Sequence, residues 1–267
     1  LTLLGYSQRV IGQYERANSF YDEALEIARQ ADDKHCEIAN LNHKSRICIA
    51  QKNYESAINY SQRALILSRS VGDQLGEANA LANLGYSEVL QAQQREEMES
   101  TVYETAIEYL KQGFQLSEKL GDSLWAGFAS RQSQALACNS LGLAYMALQQ
   151  PQSAIEYLEK GIEAAKLSGD LYLQGLNFSY LAEAYYNLQN FEKAIYMGSI
   201  GMYLLERIAC KEWHQSAGLL TILQGQLGAE MFQSLLNQQR ENLMSNIGVD
   251  GYDYVPQLID QYKRSPN

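Results

Sequence analysis

An aromatic-x-x-Ala signature recurs along this chain, as Tyr14-Glu-Arg-Ala17, Tyr54-Glu-Ser-Ala57, Tyr103-Glu-Thr-Ala106 and Phe191-Glu-Lys-Ala194. Pro151-Gln-Ser-Ala154 replaces the aromatic with a residue suited to a first helical turn. Successive alanines lie 40, 49, 48 and 40 residues apart. Periods of that size belong to repeat arrays, where each unit buries its apolar face only against its neighbours. A length of 267 residues therefore does not force a second domain.

Further positions keep step with the alanines. Seven residues after each comes another small residue, Ala24, Ala64, Gly113, Gly161 and Gly201, two turns along the same face, where small side chains let helices approach closely. Twelve residues before stand Gly5, Ser45, Gly142 and Ala182, with Leu84-Gly85 supplying the pair in the third unit. Turn signals close the units at Asp32-Asp33, Gly72-Asp73, Gly121-Asp122 and Gly169-Asp170, where Gly ends one helix and Asp caps the next. Two helices per unit follow, giving hairpins at 1–30, 35–70, 74–119, 123–167 and 171–208, a degenerate sixth at 212–245 and a short tail helix near 255–263. The composition agrees, with 46% hydrophobic residues and only three prolines.

These residues resemble the tetratricopeptide repeat family: Leu141-Gly142, Tyr145, Ala154 and Gly161 match its Leu-Gly/Ala, Tyr, Ala and small positions in order. The 40-residue period and the Gly-Asp turn are similar to the longer-helix variety in kinesin light chain and the Leu-Gly-Asn repeat scaffolds. The resemblance implies an all-α, right-handed α-solenoid of about six helical hairpins with a C-terminal capping segment. Five repeats are expected over 1–208, and the degenerate hairpin and cap over 209–267. Leu1 falls where the fourth position of a first helix belongs, so that helix is expected to lack its opening turn and the natural chain to begin earlier. Two units are longer than the rest, with extensions near 91–102 and 123–137. These are read as surface loops, as one added turn per helix, or, through Trp125 and Phe128, as part of an interaction surface.

The formal charge of −10 repels phosphate backbones, and no basic stripe offsets it, so nucleic acid is not an expected partner. No run of about 18 uncharged apolar residues suggests a membrane span. Cys36, Cys48, Cys138 and Cys210 are scattered without a CxxC pair, which points to a reducing, cytoplasmic setting. His35, Cys36, His43 and Cys48 lie close in sequence but lack the spacing of a four-ligand metal site. Gly225–Gly228 and Gly248–Gly251 read as turns, since neither has the context of a phosphate or dinucleotide loop. No catalytic set, cofactor or metal is expected.

The relatives bind extended peptides along the concave face, and the resemblance carries that role to first-helix positions here. Asn42, Asn83 and Asn139, with Arg46, Asn79, Glu183 and Asn187 nearby, form a candidate ladder for holding a peptide backbone, since an amide donates and accepts at once. The alternative is that these amides bond within the helix stack. Tyr86, Tyr180 and Tyr186 are candidate aromatic anchors. The function expected is a protein-binding scaffold or adaptor for a protein or peptide partner; the alternative is a regulatory or sensor segment of a larger polypeptide.

Overall fold

A computed structural model describes residues 1–10, 12–96, 99–121 and 127–264, with Val10 and Phe128 by backbone alone. Trp125 and the side chain of Phe128 lie outside that description. Thirteen helices and no strand occur among the described residues, so the chain is all-α. It divides into two compact units, Leu1–Ala144 and Tyr145–Asn267.

The first unit holds the hairpins α1 (Thr2–Val10) with α2 (Tyr14–Gln30), α3 (Lys34–Ala50) with α4 (Tyr54–Val71), and α5 (Gln74–Gln94) with α6 (Ser100–Gly121). Most of α7 (Gly127–Ala147) follows. First helices neighbour one another, α1 beside α3 and α3 beside α5. Each second helix packs against its own first helix and the next one, α2 on α1 and α3, α4 on α3 and α5. This is the stacking of a helical solenoid.

In the second unit α9 (Leu171–Asn187) packs on α8 (Pro151–Leu167) and α10 (Phe191–Arg207), and α10 packs on α11 (Trp213–Leu227). A short α12 (Ala229–Gln238) and α13 (Arg240–Arg264) complete it. Gly228 (φ 79) separates α11 from α12, and Gly248 (φ 77) breaks α13, so each glycine-bearing string turns the chain at one residue. Beyond Gly248, Val255, Leu258 and Ile259 are buried in the core shared with α10 and α11. That segment covers apolar surface that a further repeat would otherwise bury.

The turns carry the repeat more strictly than the sequence does. Inside the hairpins, Gly12, Lys52, Gln149 and Gln189 take φ of 76, 59, 57 and 57° at one repeat position. Between hairpins, Asp32, Gly72, Gly169 and Ala209 take φ of 53, 73, 65 and 53° at another. A left-handed residue after the last turn returns the chain antiparallel and lets following amides satisfy the last carbonyls. Asp33, Asp73 and Asp170 then accept from the backbone N–H groups of Cys36, Gly76 and Leu173 and start α3, α5 and α9. Arg29 to Glu37 (2.8 Å) and Arg69 to Glu77 (2.7 Å) repeat one ion pair across successive inter-hairpin turns.

In four hairpins the two helices cross at a matching pair of positions, at least one of them small. A Cβ on Gly5 would stand 2.5 Å from the Tyr21 ring, and one on Gly85 would stand 2.5 Å from Leu110. The matching pair in the second hairpin is Ser45 and Ser61, hydroxyl to hydroxyl at 2.8 Å. In the second unit Gly198 faces Ala182. The second set of small residues works against backbone: a Cβ on Gly201 would meet the Ser179 nitrogen at 2.8 Å and the Gly175 oxygen at 3.0 Å.

Most of the described extra residues of the long units enter helices, with Arg95, Glu96 and Glu99 left to the turn between α5 and α6. Gln91–Gln94 finish α5, residues 100–102 open α6, and residues 127–137 lie in α7. These helices have 21, 22 and 21 residues against 17 in α3, α8, α9 and α10. Four or five residues are about one turn at 3.6 residues per turn. Lengthening one helix of a packed pair leaves apolar surface bare unless its neighbour lengthens too, and Ala92 at the added end of α5 is buried.

Two expectations test this account by thermal or denaturant melting. A Cβ on Gly72 would meet nothing within 4 Å, so Gly72→Ala acts through its φ of 73° alone and lowers stability by about 1 kcal/mol, whereas Gln189→Gly raises it by a smaller amount. Gly201→Ala forces backbone apart and costs about 1–3 kcal/mol, while Gly225→Ala, in open space on a helix, gains about 0.5–1 kcal/mol.

Candidate functional site

In the first unit the first helices meet through one guanidinium. Arg46 on α3 donates from Nη2 to Asn79 Oδ1 (2.8 Å) and from Nε to Asn83 Oδ1 (3.3 Å), both on α5. Its Nη1 donates to Gln132 Oε1 on α7 at 3.4 Å. The three spacings put consecutive first helices side by side, so one long side chain reaches two hairpins beyond its own. Asn83 Nδ2 in turn donates to the carbonyl and to Oδ1 of Asn42, each at 3.3 Å, and Asn42 Nδ2 donates to the Gly76 carbonyl at 3.1 Å.

Four of the expected residues, Asn42, Arg46, Asn79 and Asn83, are thus brought together, but not on equal terms. Asn83 is fully buried and Asn42 is 6% exposed, and their amides bond to neighbouring helices. Asn139 on α7 is also fully buried, and neither amide atom has a partner among the described residues. Arg46, Asn79 and Tyr86 are half-buried and keep part of their surface open. The ladder therefore has an internal rail of Asn42 and Asn83 and an accessible one of Arg46, Asn79 and Tyr86. Gln132 belongs to the second rail and was missed in the sequence, because it lies in a unit whose length breaks the period.

The other four expected residues sit on α9 of the second unit. Gln215 Nε2 donates to Glu183 Oε1 at 2.7 Å, and burial raises the Glu183 carboxyl above the usual carboxylate range. Gln226 Nε2 donates to the Tyr186 hydroxyl at 2.9 Å. Tyr180 is half-buried against the core, and Asn187 is exposed at the helix end.

Other ionisable groups have local explanations. His35 meets Asp73 at 3.2 Å, whereas His43 is stacked on Tyr21, so the two do not converge. No three His, Cys, Asp or Glu side chains gather for a metal among the described residues. Glu88 on α5 has a buried Oε2 without a partner among the described residues, and burial pushes its carboxyl up to about 7. Two shallow depressions of about 550 and 560 Å³ lie along α12 and α13 and include none of the expected residues. No described helix is long and apolar enough to cross a membrane.

Asn83→Ala is expected to lower stability by about 1–3 kcal/mol, because it strands Asn42 and Arg46 groups inside the stack, whereas Asn187→Ala stays within about 0.5 kcal/mol in the same urea titration. Glu88→Gln adds a pH signature. A carboxyl whose folded pKa is raised loses stability as pH climbs from the unfolded value near 4.5 towards 7, because only the native state resists ionisation. The variant's gain in melting temperature over the parent is therefore small at pH 5 and larger at pH 8.

Comparison with known proteins supports the repeat reading. Tetratricopeptide repeat models match residues 1–70 and residues 135–166. The fold is similar to the apo form of RapI, with a TM-score of 0.60 at 17% identity over 98% of this chain and 93% of that one. It is also similar to BtubC (BKLC) from P. vanneervenii, with a TM-score of 0.54 at 19% identity over 77% of each chain. At such identities the likeness concerns the fold alone. No curated protein matches the sequence. Over residues 1–70 and 135–166, then, the chain is similar to tetratricopeptide repeats.

Proposed function

We propose that this chain is a protein-interaction scaffold that holds an extended segment of a partner along its first helices, and that it is not an enzyme. The observation that carries the reading is the polar network centred on Arg46. It joins α3, α5 and α7 on one face and leaves Arg46, Asn79 and Tyr86 partly open. Amide and guanidinium groups there can meet the carbonyl and N–H groups of an extended backbone, and Tyr86 offers a rigid ring with a polar tip. On the second unit, Tyr180, Glu183, Tyr186 and Asn187 offer a further set on α9. A repeat array spreads affinity over such sets, so no single contact dominates. All four cysteines are free, which supports a cytoplasmic setting.

Selection of a random heptapeptide library on the purified chain, followed by calorimetry on the enriched peptides, tests the proposal. Tyr86→Ala is expected to weaken binding by about 2 kcal/mol, roughly thirtyfold, and Asn79→Ala by about tenfold or less, with helicity unchanged. Enriched peptides that bind both variants as tightly as the parent place the partner elsewhere and end this reading of the face.

A further inference from the structure

Residues 1–7 and 81–87 carry nearly the same heptapeptide, Leu-Thr-Leu-Leu-Gly-Tyr-Ser against Leu-Ala-Asn-Leu-Gly-Tyr-Ser. Gly5 and Gly85 stand at the matching crossings of their hairpins, so the structure sets the two stretches in the same register as the sequence does. They differ in what covers them. Leu81, Leu84 and Ser87 on α5 are at most 1% exposed, whereas Leu1 is 40% and Leu4 51% exposed, and Ser7 is exposed beside them. Other first helices agree with α5: Leu41 and Phe178 at the position of Leu1, and Leu141 and Leu181 at that of Leu4, are all buried.

The cover on α5 is the second helix of the preceding hairpin. Leu81 and Leu84 share an apolar cluster with Ala64 and Leu65 of α4, against which Ile58 also packs. The same cluster contains Leu25 of α2 and Leu41 of α3. Among the described residues α1 packs only on α2 and α3, so the side of α1 that corresponds to the α4 side of α5 is bare. Apolar surface in a row like this one is stabilised only when a neighbour removes it from water. Charge adds a direction. Arg9, in the last turn, is the only charged side chain of α1. The short connection through Gly72 and Asp73 sets α4 antiparallel to α5, and α2, α4 and α10 each carry a glutamate in the first turn. A helix covering α1 in the same sense brings such a glutamate to the Arg9 end.

We propose that the face of Leu1, Leu4 and Ser7 docks an amphipathic α-helix of a partner protein. That helix has apolar residues seven apart and an acidic first turn, as Ile58, Leu65 and Glu55 are arranged on α4. It continues the interface that α2 forms with α3 and α4 with α5. The site goes beyond the scaffold reading, because it uses residues other than Arg46, Asn79 and Tyr86 and takes a helix instead of an extended segment.

A synthetic peptide with the sequence of α4, Tyr54–Val71, is the probe, cross-linked on the side away from Ile58 and Leu65 because an isolated helix of this length is marginal in water. It is titrated into the isotope-labelled chain and followed by backbone amide NMR. Saturable shifts at residues 2–7 are expected, and none with the peptide carrying Ile58→Asp and Leu65→Asp. In the chain, Leu4→Glu weakens binding by about tenfold or more with helicity unchanged. Ile66→Glu, at an apolar residue 71% exposed on α4, leaves binding as it was. An absence of saturable shifts, or binding that survives in folded Leu4→Glu, overturns the proposal. So do shifts confined to Leu81 and Leu84, which mark exchange with the chain's own α4. Sedimentation that shows the chain alone pairing through a Leu4-dependent contact gives the face to a second copy, and a segment of the full natural polypeptide that blocks the peptide gives it to the chain itself; either overturns the partner. The heptapeptide selection can fail or succeed without altering these outcomes.

Discussion

The packing of these hairpins depends on how closely two helices can cross, and that closeness is set by one pair of side chains, at least one of them small. Gly5 admits the Tyr21 ring, Gly85 admits Leu110, Ser45 shares the space with Ser61, and Ala182 faces Gly198. At least one member of each pair is small, while its partner ranges from alanine to tyrosine. A close-packed interior leaves no room for a second large side chain opposite the first. The crossing in turn fixes where the second helix can lean on the next first helix, so the stack propagates from this contact.

Spacing between first helices follows from the crossing, and the polar face follows from the spacing. Arg46 reaches Asn79, Asn83 and Gln132 because α3, α5 and α7 lie within the length of one side chain of each other. The longer α5 and α6 extend at their shared turn, where the added end of α5 buries Ala92. A surface built this way is rigid at its base, where Asn42 and Asn83 lock neighbouring helices, and adaptable at its rim. Preorganised polar groups of that kind lose less side-chain entropy on binding.

The same first unit combines satisfied and unsatisfied polar groups. Ser45, Ser61, Ser87 and Ser117 all close local hydrogen bonds within helices or across the crossing. Other buried polar atoms of this unit, on Gln8, Glu88, Ser133 and Asn139 among them, find no partner among the described residues. The repeat itself places one buried hydroxyl: Tyr21 takes the position that Ser61 holds in the next hairpin and so carries its ring deep into the crossing.

Much of the fold was legible in the residues because its cause is local and periodic. The alanine and glycine spacings mark faces that touch, and Asp at the inter-hairpin turns marks helix starts, so hairpin order followed from offsets alone. The turns were only partly legible: glycine announces the left-handed residue at Gly72 and Gly169, but Lys52, Gln189 and Ala209 adopt it because the antiparallel return requires it. The site was less legible. Successive helical residues turn by about 100°, so a shift of one position separates an amide facing solvent from one facing the next helix, and Asn83 falls on the inner side. Gln132 entered the network only through the lateral stacking of three first helices, and Gly5 with Tyr21 acquired meaning only as a pair across a crossing. The sequence by itself determined which residues are small, apolar or turn-forming at each repeat position. The tertiary structure decided which polar groups those positions bring within hydrogen-bonding distance, because that depends on distances between helices far apart in the chain.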